Sequence, residues 1–218
     1  MPELRFFIEG FEPVEHALTP TLRMKLRAVN ASPEPVHAIW LRCQLQIEPA
    51  RRRYTAAEAD HLFPLFTAPD RWDQTLRPFL WQHVVTMISG FTGTTVSDVL
   101  LPCSLDLSLA ATQYCQSLAD GAVPIDAQFS GIVLIQAASG LEAVPIPWDL
   151  EARYAMPVAA WKAAIRTLYP GDPRPTAQRR GVGAPAAELC GREERAALRG
   201  APAPSEAGSS RPITEAAA

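Results

Sequence analysis

Two stretches in which apolar and polar residues alternate constrain the fold more than any other feature of this sequence. In residues 21–29 the even positions are apolar and Arg23, Lys25 and Arg27 lie between them. Residues 39–47 continue the same pattern, with Arg or Gln at positions 42, 44 and 46. A period of two indicates a strand with one buried face. The turn residues of segment 30–35 predict that these two strands form an antiparallel hairpin with a longer loop.

The rest of the first 170 residues extends this reading to a fold class. Further strands are predicted at residues 4–8, 79–88, 96–107, 125–135 and 141–147. Helices are predicted at residues 55–66, 109–119 and 157–168. Thr55 and Glu58 have the spacing of a capping box, and Gly121 is typical of a helix C-cap. Strands without regular helical crossovers predict a mainly β (α+β) domain, an antiparallel β-sandwich-like body with two or three peripheral helices.

The distribution of aromatic residues predicts where this domain ends. All 17 Phe, Trp and Tyr residues lie at or before Tyr169, and residues 171–218 consist mostly of Ala, Pro, Gly, Ser, Arg and Glu. A segment of that composition cannot bury enough apolar surface to offset its conformational entropy. We therefore expect a β-rich globular domain over residues 1–170 and a disordered, low-complexity C-terminal tail over residues 171–218, in which residues 186–199 could form a marginal helix.

Composition excludes several classes of protein. The net charge of −3 and the pI near 5.8 argue against nucleic-acid binding. No apolar run approaches the roughly 20 residues of a membrane span, and charged residues near the start interrupt any secretory signal, so we expect a cytoplasmic protein without a membrane span. The four cysteines form no Cys-x-x-Cys pair, and no metal or other cofactor is predicted. A soft-metal site of Cys43, Cys103 and one histidine stays open only if the strands bring these residues together.

The candidate site is a binding surface, because no nucleophile elbow, phosphate loop or metal-ligand motif is present and no catalytic residue can be assigned. Arg, Trp and Tyr dominate the energetics of protein interfaces. The predicted binding residues are therefore Arg51, Arg52, Arg53, Tyr54, Trp72 and Trp148. Two alternatives remain: the arginines form a solvated strand end and the tryptophans plug the core, or the tryptophans stack a carbohydrate or other small ligand beside Asp73 and Asp149.

Several stretches resemble an uncharacterised bacterial family, a domain of unknown function whose genes tend to lie near accessory genes of nickel–iron hydrogenases. The resemblance rests on residues 34–54, 71–81, 90–95 and 147–154 together with Trp161, and it covers roughly residues 1–170. It implies a non-catalytic accessory or scaffold protein whose partner is a component of a hydrogenase or another metalloenzyme during assembly. It carries over no catalytic residue, so an enzyme is the less favoured reading.

Overall fold

Eight strands and four α-helices form within the residues that the computed structural model describes, which are 2–103, 108–137 and 140–168. The strands are β1 (Leu4–Pro13), β2 (Thr21–Asn30), β3 (Val36–Ile47), β4 (Phe79–Phe91), β5 (Thr94–Pro102), β6 (Ala122–Ala137), β7 (Gly140–Ile146) and β8 (Glu151–Pro157). The helices are α1 (Ala56–Phe66), α2 (Trp72–Thr75), α3 (Leu109–Ser117) and α4 (Val158–Leu168).

The strands form two antiparallel sheets. Sheet A has the order β1-β2-β5, and sheet B has the order β4-β3-β6, with β7 and β8 both paired to the far side of β6. The apolar positions of each strand face the other sheet and form one core, in which the Phe6 ring of β1 lies 4.8 Å from the Phe129 ring of β6. The predicted mainly β, antiparallel sandwich-like fold is confirmed.

The predicted hairpin between the first two alternating strands is wrong. β2 pairs with β1 and β5, whereas β3 pairs with β4 and β6. Both strands bury one face, so each can pack its apolar face against the other across the roughly 10 Å between stacked sheets instead of sharing a ladder. The segment 31–35 therefore crosses from one sheet to the other.

Strand β8 is absent from the sequence prediction, and it completes a broken edge of sheet B. β7 pairs with residues 131–137 of β6, and β8 pairs with residues 122–128. The two strands are thus halves of one edge strand, interrupted at residues 147–150, where the Phe129 N–H still donates to the Leu150 carbonyl at 2.9 Å. Pro157 ends β8 and does not begin the following helix.

Helices occupy the connections at one end of the sandwich. The capping box at Thr55 and Glu58 is confirmed at the start of α1. α3 ends at Ser117, before the glycine expected to cap it. Gly121 has a positive φ of 76°, but its carbonyl accepts a hydrogen bond from the Val158 N–H at the start of α4.

Three predicted segments lie outside the described residues: the end of the strand 96–107, the loop at 138–139, and the tail 171–218 with its marginal helix. The domain boundary near residue 170 therefore stays a prediction.

We expect Gly131→Ala to lower the free energy of unfolding by about 1–3 kcal/mol or more. Gly131 lies in β6 where pairing changes from β8 to β7, its φ is 140°, and a Cβ there would collide with the Trp40 carbonyl oxygen. Gly10→Ala is the control, because its Cβ would meet no atom within 4 Å, and it should change stability by less than about 1 kcal/mol. Urea unfolding measures both, and equal effects would contradict this role of Gly131.

Candidate functional site

The outer face of sheet A is an ionic surface. Arg27 Nε lies 2.6 Å from Glu9 Oε1, and Arg23 Nε lies 3.3 Å from Asp98 Oδ2. Lys25 Nζ lies 3.6 Å from Glu12 Oε2 of β1 and 3.8 Å from Asp98 Oδ1 of β5. Val96 and Leu100 are also exposed on this face, but Asp98 lies between them, so the charged side chains interrupt its apolar surface.

The outer face of sheet B is apolar over the half that lies away from the helices. Met87, Trp40, Ile132 and Pro145 are directly opposite one another on β4, β3, β6 and β7. Trp40 is 59% exposed, Met87 65% and Ile132 45%. Val85 of β4 is also exposed on this face, and it lies two residues before Met87, nearer the helices. We call these five residues the apolar patch. Aromatic and Met side chains without charges at the centre are typical of protein interfaces.

The alternation of β3 explains why Trp40 is exposed. Leu41 and Cys43 face the core with no exposed surface, so positions 40 and 42 must face outwards. The sequence therefore contained a signal for Trp40, and the prediction of binding residues missed it by favouring tryptophans in loops.

Arg52, one of the predicted binding residues, lies in a buried ionic cluster. Arg52 Nη2 lies 2.6 Å from Glu58 Oε1, and Arg52 Nη1 donates to the Ala122 carbonyl at 2.9 Å. The Glu58 carboxylate also accepts from the N–H groups of Thr55 at 3.0 Å and Ala119 at 2.9 Å. Burial alone would raise the pKa of Glu58, but these N–H donors and the Arg52 charge outweigh it and hold that pKa below its ordinary value of 4.5.

Tyr54 and Trp72 come together beside this cluster. The Tyr54 hydroxyl donates to the Pro49 carbonyl at 2.7 Å and lies 2.8 Å from the Tyr114 hydroxyl. The Trp72 ring meets the Tyr54 ring edge-on at 5.2 Å. Burial raises the pKa of Tyr54 to about 12 and raises that of Tyr114 further, so both hydroxyls stay protonated. Both tyrosines and Trp72 pack against the core here.

The other three predicted residues lie at the surface. Arg51 is exposed and reaches Asp126 Oδ2 at 3.3 Å, and Arg53 is exposed in the same connection. Trp148 is 90% exposed in the break between β7 and β8, opposite residues 129–130 of β6. The structure thus brings Arg52, Tyr54 and Trp72 together, whereas Trp148 lies in the connection that follows β7, three residues after Pro145.

The described cysteines and histidines do not form one site. Cys43 faces the core on β3, whereas His83 is opposite Gln44 on the outer face of sheet B. Within the described residues, no three His, Cys, Asp or Glu side chains converge as a metal site. Burial raises the pKa of Cys43 and of Cys103 to about 12, and it also raises that of Cys115. Thiols with such pKa values are protonated and poorly nucleophilic at neutral pH.

The fold and this surface define a class: an antiparallel β-sandwich with one ionic outer face and one partly apolar outer face. The chain belongs to the "Family of unknown function (DUF6084)", whose model matches residues 1–174. No curated protein matches the sequence. None of the helices in the described ranges has the length and apolarity needed to cross a bilayer.

Solved structures similar to this chain include segments of three β-glucosidases. The enzyme from Kluyveromyces marxianus is 4% identical with a TM-score of 0.27, and the match covers 71% of this chain and 15% of that one. β-Glucosidase 3B from Thermotoga neapolitana is 9% identical with a TM-score of 0.25, over 71% and 17% of the two chains. The enzyme from Paenibacillus barengoltzii is 11% identical with a TM-score of 0.26, over 72% and 15%. The chain thus spans less than a fifth of each of these proteins.

Glu58→Gln should lower the free energy of unfolding at pH 7 by on the order of 3 kcal/mol, because it leaves Arg52 buried without its counter-charge. Folding lowers the pKa of Glu58, so its contribution is complete above the unfolded-state value near 4.5 and is lost as the pH falls through the lower folded-state value. The stability difference between wild type and variant should therefore shrink below pH 4.5. Urea unfolding over a pH series measures this difference.

The matched control for that experiment is Glu12→Gln. Glu12 pairs with Lys25 at 3.6 Å on the exposed face of sheet A, where one ion pair is worth less than about 1 kcal/mol. Equal losses at pH 7 from the two substitutions would contradict the structural role of the Arg52–Glu58 pair.

Proposed function

We propose that this chain is a non-catalytic, cytoplasmic accessory protein that binds another protein through the apolar patch. The supporting observation is the row of Met87, Trp40, Ile132 and Pro145, which leaves a tryptophan more than half exposed in the middle of a rigid sheet. Exposed apolar side chains that are contiguous, and not scattered singly, mark interaction sites. The outer face of sheet A is the internal contrast, because its exposed apolar residues Val96 and Leu100 are separated from each other by the charged residue Asp98 and do not form a continuous row.

The partner that we propose is a component of a metalloenzyme, such as a hydrogenase, during its assembly. This part of the proposal rests on the resemblance of residues 34–54 and 147–154 to a family whose genes tend to lie near hydrogenase accessory genes. The buried, protonated thiols and tyrosines agree with a binding role, because none of them is activated for nucleophilic or proton-transfer chemistry. Arg53 and Trp148 are exposed, so each is accessible to a partner, although Arg53 lies at the helical end and not on the apolar patch.

The double variant Trp40→Ala/Ile132→Ser should capture at least about tenfold less of the partner, because truncating one central aromatic anchor commonly costs about 2 kcal/mol or more. Affinity purification of the tagged full chain from its native bacterium, followed by mass spectrometry, identifies and quantifies hydrogenase subunits and maturation proteins. Circular dichroism and thermal unfolding confirm that the variant is folded.

The control for this experiment is Val96→Ser/Leu100→Ala, which removes two half-exposed apolar side chains from the outer face of sheet A. It should capture the same amount of partner as the wild type. Undiminished capture by the folded Trp40→Ala/Ile132→Ser variant would exclude the apolar patch as the binding surface, and recovery of no metalloenzyme component would exclude the proposed partner.

A carbohydrate-binding or other small-ligand module is the second candidate, and Trp148 is the observation that favours it. Its almost fully exposed indole lies in an open hollow lined by Pro147, Trp148 and Asp149, where a sugar face can stack beside a carboxylate. If this function is correct, soluble oligosaccharides should change the tryptophan fluorescence of the wild type but not of Trp148→Ala. If no oligosaccharide changes the fluorescence, or if the variant responds equally, this candidate is excluded.

A further inference from the structure

Strand β4 is an open edge of sheet B. Its 13 residues pair with β3 on one side, and no other described strand pairs with its far side. Every second residue of an edge strand presents an N–H and a C=O that can extend the sheet. β4 contains no Asp, Glu, Lys, Arg or Pro. Its one irregularity is a bulge at Trp81, and beyond it no residue type opposes the addition of another strand.

The other sheet edges carry the devices that usually prevent strand addition. β1 has Glu9, Glu12 and Pro13, and β5 is shorter and has Asp98 and Pro102. The edge formed by β7 and β8 is broken at residues 147–150 and contains prolines and charged residues. Charges, prolines and interruptions are the standard protection of an edge strand. From Gln82 to Phe91 the edge of β4 is neutral and unbroken, and it is therefore an exception among the described strands.

We propose that β4 pairs with β4 of a second copy of this chain to form a symmetric dimer. A twofold axis perpendicular to the sheet makes two identical strands antiparallel, so one surface is complementary to itself. If the axis passes at Val85, then Val85 lies opposite its own counterpart, and His83 lies opposite Met87. Residues with the same parity then share a face, so the outer faces of the two copies of sheet B form one surface.

A second copy fits this edge, because an identical neutral strand brings no charged side chain against it. Residues 1–170 contain 13 basic and 17 acidic residues, so two copies repel each other on average. Along β4, however, no like charges meet, because the strand has no formally charged side chain at neutral pH. The dimer would join two copies of sheet B into one sheet eight strands wide, and the Val85 and Met87 side chains of each copy would be partly buried at the centre.

This dimer does not require the proposed accessory function, because it depends on backbone pairing along β4 and is measured without a partner, although Val85 and Met87 of the apolar patch lie at its axis. Sedimentation velocity of the full chain over a wide range of concentration should show a monomer–dimer equilibrium. Val85→Glu should weaken dimerisation by at least about tenfold, because it places two carboxylates opposite each other across the axis.

The matched control is Val96→Glu. Val85 and Val96 are 53% and 51% exposed, and each lies on an edge strand. On the neighbouring strand Val85 is directly opposite Arg42, and Val96 is directly opposite Arg27. The two variants have the same net charge, so only the edge differs. Val96→Glu should dimerise as the wild type does. A wild type that is monomeric at every concentration, or a dimer that responds equally to both variants, would overturn the proposal.

A disulfide tests the register directly. Opposite residues of antiparallel strands have Cα atoms about 4.5–5.5 Å apart, which is within the range of a disulfide. The experiment uses a Cys190→Ser background, and the other cysteines, Cys43, Cys103 and Cys115, are buried and so protected from oxidation. Mild oxidation should then convert the Val85→Cys variant into a covalent dimer, whereas the Val96→Cys variant should form no covalent dimer. Equal cross-linking of the two variants, or none with Val85→Cys, would overturn the pairing of β4 about Val85.

Discussion

The buried pair of Arg52 and Glu58 is the interaction on which the helical end of the molecule depends. Its two side chains bind backbone groups at Thr55, Ala119 and Ala122, and so connect the start of α1 with the segment that leads into β6. A buried ion pair is stable only where further hydrogen bonds support it. Here both Glu58 oxygens and both terminal nitrogens of Arg52 are hydrogen-bonded, whereas Arg52 Nε has no partner. The pair also explains a local backbone choice, because a Cβ at residue 121 would lie 2.9 Å from Arg52 Nη1, and Gly121 avoids that contact.

Local patterns predicted those elements whose stabilising contacts are local. The capping box at Thr55 depends on residues three apart, and the alternation of β2 and β3 depends on one strand at a time. Strand pairing is different, because the same alternation suits a hairpin and a sandwich equally well, and only the contacts between sheets distinguish them. β8 had a readable signal in Ala152, Tyr154 and Met156, which face inwards in alternation, but the strong helical pattern that follows obscured it.

The site was harder to predict, because it depends on register between strands that are distant in sequence. Met87 and Ile132 become neighbours of Trp40 only when β4 and β6 are aligned on β3. Composition pointed to Arg52 as a surface residue, since arginine is commonly exposed. Its burial follows from a carboxylate six positions later, and only the folded connection brings the two together. Arg51, Arg53 and Trp148 are exposed, and their role in binding stays a prediction.

The outer face of sheet B changes character along β3, and this change limits what can bind there. Next to Trp40 the neighbouring strands present Met87 and Ile132, whereas next to Gln46 they present Leu80 and Asp126, which is held by Arg51 and Arg153. The boundary lies at the row of Val85 and Arg42. A partner that covers the apolar half can therefore reach a guanidinium at the rim without disturbing the ionic end, and side chains fixed on strands hold this arrangement more rigidly than a loop would. The apolar half also adjoins the neutral edge of β4, so dimerisation through that edge would join the two patches, partly covering Val85 and Met87 and leaving Trp40 and Ile132 on the common outer face.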